Sequence, residues 1–103
     1  MSRPLQIEVS DLARAQIVAA EGWWRANRPS APHAIREDLE RASALIARQP
    51  EIGAWARNIS LPGVRRLHLA RIRYDLYYRV VDEPQRLEVV ALWHASRGNV
   101  PPL

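Results

Sequence analysis

The chain has 103 residues, 48% apolar and 25% charged, with no cysteine and a formal net charge of +4. That length allows one domain with a modest core, and the composition excludes a disordered chain, a disulfide framework and a thiolate metal site. Every basic residue is arginine, so the cations can hold an acidic partner, whether nucleic acid or protein, while proton transfer falls to His33, His68, His94, the carboxylates and the tyrosines.

The segment Met1-Ser2-Arg3-Pro4-Leu5 lacks the apolar stretch of a signal peptide, and no run approaches the ~18 apolar residues of a membrane span, so a soluble cytoplasmic protein is expected. Residues 5–9 (Leu-Gln-Ile-Glu-Val) alternate strictly between apolar and polar, which predicts a half-buried strand. Ser10 and Asp11 offer N-cap oxygens for a helix over 11–28, in which Ala13, Ile17, Ala20 and Trp24 form one face. Asn27-Arg28-Pro29 ends it, because the residue before proline avoids the α region. Ser30 is expected to cap a second helix over 31–49, with Pro32 in the first turn and an apolar stripe of Ile35, Leu39, Ala42 and Ile46. Glu37 and Arg41 form an i,i+4 pair on its polar face. Residues 50–63 show no period and are expected to form a loop, with Ile52, Trp55, Ile59 and Leu61 as its anchors.

Three short strands follow, at 64–69, 74–81 and 86–94. Turns fall at Ala70-Arg71-Ile72-Arg73 and Asp82-Glu83-Pro84-Gln85, so an antiparallel meander is expected. The tail, 95–103, cannot continue as a central strand, because it carries Pro101 and Pro102. In the first strand Arg65, Leu67 and Leu69 oppose Arg66 and His68. In the second, Tyr74, Leu76, Tyr78 and Val80 oppose Asp75, Tyr77, Arg79 and Val81. In the third, Leu87, Val89, Ala91 and Trp93 oppose Glu88, Val90, Leu92 and His94. That last strand is apolar on both faces, so both need a cover. Two helices can cover one; part of the other falls to the tail, the long loop or a partner chain, and a partner is expected over at least part of it.

The fold class that follows is α+β: an N-terminal strand, a helical hairpin and a three-stranded antiparallel meander. Trp23-Trp24, Pro50-Glu51-Ile52-Gly53, the arginine pair among alternating leucines in Val64-Arg65-Arg66-Leu67-His68-Leu69, Leu76-Tyr77-Tyr78-Arg79-Val80 and Leu92-Trp93-His94-Ala95-Ser96-Arg97-Gly98 occur in an order and spacing that resembles the RelE/ParE superfamily of bacterial type II toxin–antitoxin systems. The local matches favour the ParE branch and cover nearly the whole chain. The resemblance implies a toxin neutralised by a co-expressed antitoxin, ParD-like or another, whose C-terminal segment wraps it. ParE-like members are associated with poisoning DNA gyrase or a gyrase–DNA complex; RelE-like members cleave mRNA on the ribosome. A third form is a degenerate toxin that only binds its antitoxin.

Target or partner binding is expected to fall on Arg65, Arg66, Arg79, Trp93, His94 and Arg97. Arg66 and Arg79 are expected on one face of adjacent strands, where they could hold a carboxylate or phosphate bidentately or form an internal ion pair with Asp75 or Glu88. Arg97 is assigned to target inhibition, in a C-terminal segment expected to be mobile. In the nuclease alternative His94 moves the proton and Arg66, Arg79 and Arg97 stabilise the phosphate; otherwise His94 is a strand-end histidine that bonds the tail. The lysines common in RelE-like nucleases are missing here. His33 and His68 are too isolated to suggest a metal site, Tyr77 and Tyr78 are read as packing residues, and no cofactor or metal is expected.

Overall fold

The computed structural model describes residues 3–103. Strand β1 (Ile7–Val9) leads into helices α1 (Asp11–Asn27) and α2 (Ala34–Arg48); strands β2 (Ala54–Trp55), β3 (Arg65–Leu69), β4 (Tyr74–Val81) and β5 (Arg86–His94) follow. They form one sheet in the order β1-β5-β4-β3-β2. β1 runs parallel to β5, and the other neighbours are antiparallel. The α+β class and the hairpin-then-meander order are as expected, but the sheet has five strands.

Ser10 is extended and its hydroxyl accepts the Ala13 N–H at 3.1 Å, which sets the start of α1. Ala13 and Ala20 are buried, with Ile17 and Trp24 packed beside them, so the predicted stripe is the core face. The second helix corrects its expectation: α2 starts at Ala34, not residue 31, and its N-cap is His33 without a side-chain bond, not Ser30. Pro32 disfavours the α region at Ala31, so the chain runs through turns from Arg28 to His33 instead. The stripe Ile35, Leu39, Ala42 and Ile46 does face the core. The Glu37–Arg41 pair does not form. Arg41 bonds Asp38, and Arg71 from the β3–β4 turn takes both Glu37 (3.1 Å) and Asp38 (3.0 Å), fastening α2 to that turn.

β1 is shorter than expected because Leu5 donates to the Ala47 carbonyl (3.0 Å), bonding to α2 and not to the sheet. The loop at 50–63 contains β2, two residues opposite Arg65 and Arg66, and β3 begins at Arg65 rather than 64. Of its expected anchors, Ile59 and Leu61 pack on the core, whereas Ile52 and Trp55 are exposed.

A β-bulge in β5 changes the sidedness. Tyr77 pairs with Ala91, but Tyr78 pairs with Val89, so Val90 is an extra residue. Val90 and Ala91 both lie with the core on the face away from the helices. Beyond them the alternation is reversed: Leu92 packs with the helices, and Trp93 against the opposite core. The expected grouping of Leu92 with Val90, and of Ala91 with Leu87 and Val89, is therefore wrong.

The apolar part of that opposite face is covered by the chain itself, while Arg66 stays exposed. Ala56, Ile59 and Leu61 from the β2–β3 loop and Leu103 from the tail close over Val64, Tyr77, Val90 and Ala91. Pro101 is fully buried, and Ser60 donates to the Leu103 carbonyl at 3.1 Å. The motive for a partner over these apolar residues is thus removed, and the tail is held at Asn99, Pro101 and Leu103.

Candidate functional site

Arg65 sits half-buried with its guanidinium 3.8 Å from the centre of the Trp55 ring and donates to the carbonyls of Gly53 (2.8 Å) and Glu51 (3.2 Å). These contacts hold the segment that leads into β2. Arg79, on the face away from the helices, is paired with Glu88 directly across the strands at 2.9 Å. This is the internal pair named among the alternatives. Arg66 shares that face and is exposed, without an ion pair among the described residues. It lines a cleft of about 590 Å³ with Ala54, Trp55, Arg57, Asn58, Tyr77 and Val100. Burial raises the Tyr77 phenol above its ordinary pKa and the Asp75 carboxylate adds to this, while neighbouring Arg66 pulls it back. His68 bonds Asp75 at 2.8 Å across β3 and β4.

The other candidates meet at the far end of the sheet. His94 pairs across the strands with Tyr74, their rings edge-to-face at 5.0 Å, and lies on the helix side with Trp23, Ala19 and Ala20 of α1. The Ser96 N–H donates to His94 Nδ1 (3.2 Å) and the Ser96 hydroxyl lies 2.6 Å from it. A backbone N–H can only donate, so Nδ1 accepts and the neutral ring carries its proton on Nε2. Trp93 points to the opposite face and donates to the Asn99 carbonyl at 3.0 Å, tying down the tail. Arg97 is exposed and spans both sides: its guanidinium lies 4.2 Å from the Trp93 ring centre, and it lines a cleft with Trp23, Tyr74 and His94. Burial raises the Tyr74 phenol, against the opposing charge of Arg97.

The structure therefore brings together His94, Arg97 and, back to back, Trp93. Arg66 and Arg79 share the other face of the sheet, as expected, and are separated from His94 by the sheet itself. Among the described residues no cluster of His, Cys, Asp and Glu could hold a metal ion, and no helix is long and apolar enough to cross a membrane. Between α1 and α2 runs a largely apolar groove of about 380 Å³, floored by Val9, Leu76 and Val89 and flanked by Ile17 and Leu39. The Glu21–Arg36 pair (3.5 Å) stands at its rim.

Residues 7–98 match the family model described as the ParE toxin of type II toxin-antitoxin system, parDE. The chain belongs to the ParE toxin family. Among solved structures, the chain is similar to one titled a chromosomal ParDE TA system from P. aeruginosa, at 19% identity and a TM-score of 0.71, covering 92% of this chain and 100% of that one. At that identity the likeness is one of fold. No curated protein matches the chain. Within this ParE fold, sequence reasoning passed over Arg57 and Asn58, which lie in a stretch without periodicity, and took Tyr77 for packing alone. A two-residue strand that folds the loop back over the sheet leaves no signal in the sequence.

Proposed function

We propose that this ParE-family toxin acts by binding DNA gyrase, or gyrase on DNA, in the bacterial cytoplasm, and that a cognate antitoxin neutralises it. The observation that carries the binding reading is the placement of His94. A nuclease needs its base, acid and cations within reach of one scissile phosphate. His94 faces the helices, with Nδ1 engaged by Ser96, while Arg66 and Arg79 stand on the other face and Arg79 is neutralised by Glu88. This geometry favours an inhibitor over the ribosome-dependent mRNA nuclease. Arg97 supports a target contact, since it is a permanently charged, exposed fork backed by Trp93 at the free end of the sheet. The similar solved structure is titled as a ParDE system, and the α1–α2 groove has the apolar floor and charged rim that suit an amphipathic antitoxin helix. The free edge of β1 can take an added strand.

Expression in a bacterial host tests the proposal. Linear plasmid and double-strand breaks without mRNA cleavage are expected, reduced by Arg97→Ala and relieved by the co-expressed antitoxin. Cleavage of translated mRNA at codon positions, lost in His94→Ala, would replace gyrase with the ribosome. No growth defect would leave a degenerate toxin that binds only its antitoxin.

A further inference from the structure

The cations of the sheet divide into two kinds. Arg79 is paired with Glu88 and Arg86 with Glu8, and Arg65 donates to two backbone carbonyls and stacks on the Trp55 ring. Arg66 has no acidic partner among the described residues, nor does Arg57 beside it, and both line one cleft whose walls contain no carboxylate. Like charges held side by side without a counter-ion repel each other and raise the affinity of the space between them for an anion. The same walls carry the Asn58 amide and Tyr77, only 3% exposed, as further donors.

From this we infer that the cleft between the β2–β3 loop and the outer sheet face is a binding site for the phosphate of a nucleotide unit, gripped by the guanidinium groups of Arg57 and Arg66.

Three features favour phosphate over carboxylate. Two guanidinium forks, an amide and a phenol offer more donors than the two oxygens of a carboxylate can use, but a phosphate has more oxygens to share among them. Tyr77, like any phenol, is protonated through neutral pH, and burial keeps it so, which leaves its hydroxyl able to donate. The cleft, at about 590 Å³, is far larger than a bare anion needs, and its remaining walls (Ala54, Val100 and Trp55) leave apolar room for a sugar or base. The site is also preorganised. Ala56 donates to Val64 at 2.9 Å on one side of Arg57, and Ile59 anchors the other. Between them Asn58 takes a left-handed turn (φ 60°), which asparagine tolerates better than most residues. The loop backbone is then already ordered, and binding has the two arginine side chains left to fix. The inference goes beyond the gyrase reading and does not depend on it.

Binding of fluorescent oligothymidylate to the full-length protein, followed by anisotropy across a salt series, tests the site. Arg57→Gln and Arg66→Gln are each expected to weaken binding about fivefold or more at low salt and to lower the salt slope by about 0.7, the increment for one phosphate contact on a single strand. Arg14→Gln, an equal charge change on exposed α1, is expected to stay within about twofold of the parent. Arg57→Lys and Arg66→Lys keep the charge without the fork and are each expected to retain part of the affinity lost in the glutamine variants. Melting curves show whether each variant is folded. Competition by a 5′-mononucleotide would identify a free nucleotide as the ligand; retained binding without competition would identify a strand, and either supports the site. Equal losses in all three glutamine variants, no binding at low salt, or tighter arginine-dependent binding of oligoglutamate would overturn it.

Discussion

Tyr78 shows how much one side chain can organise. It is fully buried, its hydroxyl accepts the Gly53 N–H at 2.9 Å and donates to the Pro50 carbonyl at 2.8 Å, and so it fastens the end of the α2–β2 connection to the sheet. Glycine is required at position 53 by close approach: a Cβ there would lie 2.7 Å from the Tyr78 hydroxyl oxygen and 3.0 Å from the Arg66 carbonyl oxygen. Tyr78→Phe is expected to cost ~1–3 kcal/mol in urea unfolding through two orphaned groups, and Gly53→Ala ~1–3 kcal/mol through overpacking. The double variant is expected to lose less than the sum, because removing the hydroxyl relieves the nearest clash. Strict additivity would contradict the contact.

All three tyrosines have phenols raised above their ordinary pKa, chiefly by burial. A raised folded-state pKa favours the neutral form in the fold. The associated stability is therefore fully present below the unfolded value, about pH 10, and is lost as the pH rises through the folded values. Absorbance titration is expected to show tyrosinate appearing only above about pH 10, together with loss of circular dichroism. A phenol that ionises near pH 10 in an intact fold would contradict this.

At the level of elements, what could be read from the sequence depended on length and phase. The helix faces were legible because Ala13, Ile17, Ala20 and Trp24, and Ile35, Leu39, Ala42 and Ile46, repeat over several turns. The start of α2 was not, since Ser30 and Pro32 look like a cap and a first turn until the restraint on Ala31 is counted. β2 is too short to show a period. The bulge lies within Val89-Val90-Ala91-Leu92, where every residue is apolar and an extra one leaves no mark; that is why His94 could be assigned as a proton carrier but not to the helix side of the sheet. Deleting Val90 is expected to preserve the pairing of β4 and β5 and the facing of every other residue in β5. The cost is mainly one buried valine, ~1.5–3 kcal/mol, with unchanged circular dichroism. An unfolded deletion variant would show that the bulge itself is needed.

Across the whole molecule, two cores flank one sheet. The helices seal one side, and the β2–β3 loop and tail seal the other. Apolar residues on both faces of β5 correctly signalled a double cover, with the loop and the tail among its candidate sources; what no local pattern can announce is that the two meet, through Ser60 and Leu103. Removing residues 101–103 is expected to strip fully buried Pro101 and partly buried Leu103 from the second core. The expected loss is about 2–4 kcal/mol, read as a lower melting temperature; an unchanged melting temperature would mean the tail does not seal that face.

The same architecture leaves the candidate groups apart: an exposed arginine at the end of the sheet, two arginines on its outer face without an acidic partner among the described residues, and a histidine turned to the helices. On the proposed reading, a toxin built this way binds its target. The most direct measurement is gyrase supercoiling with purified toxin, run beside mRNA cleavage in a translating extract, for the parent and His94→Ala. Loss of supercoiling by both proteins, with intact mRNA, is the expected result. Codon-positioned mRNA cleavage that disappears in His94→Ala, with gyrase unaffected, would contradict it.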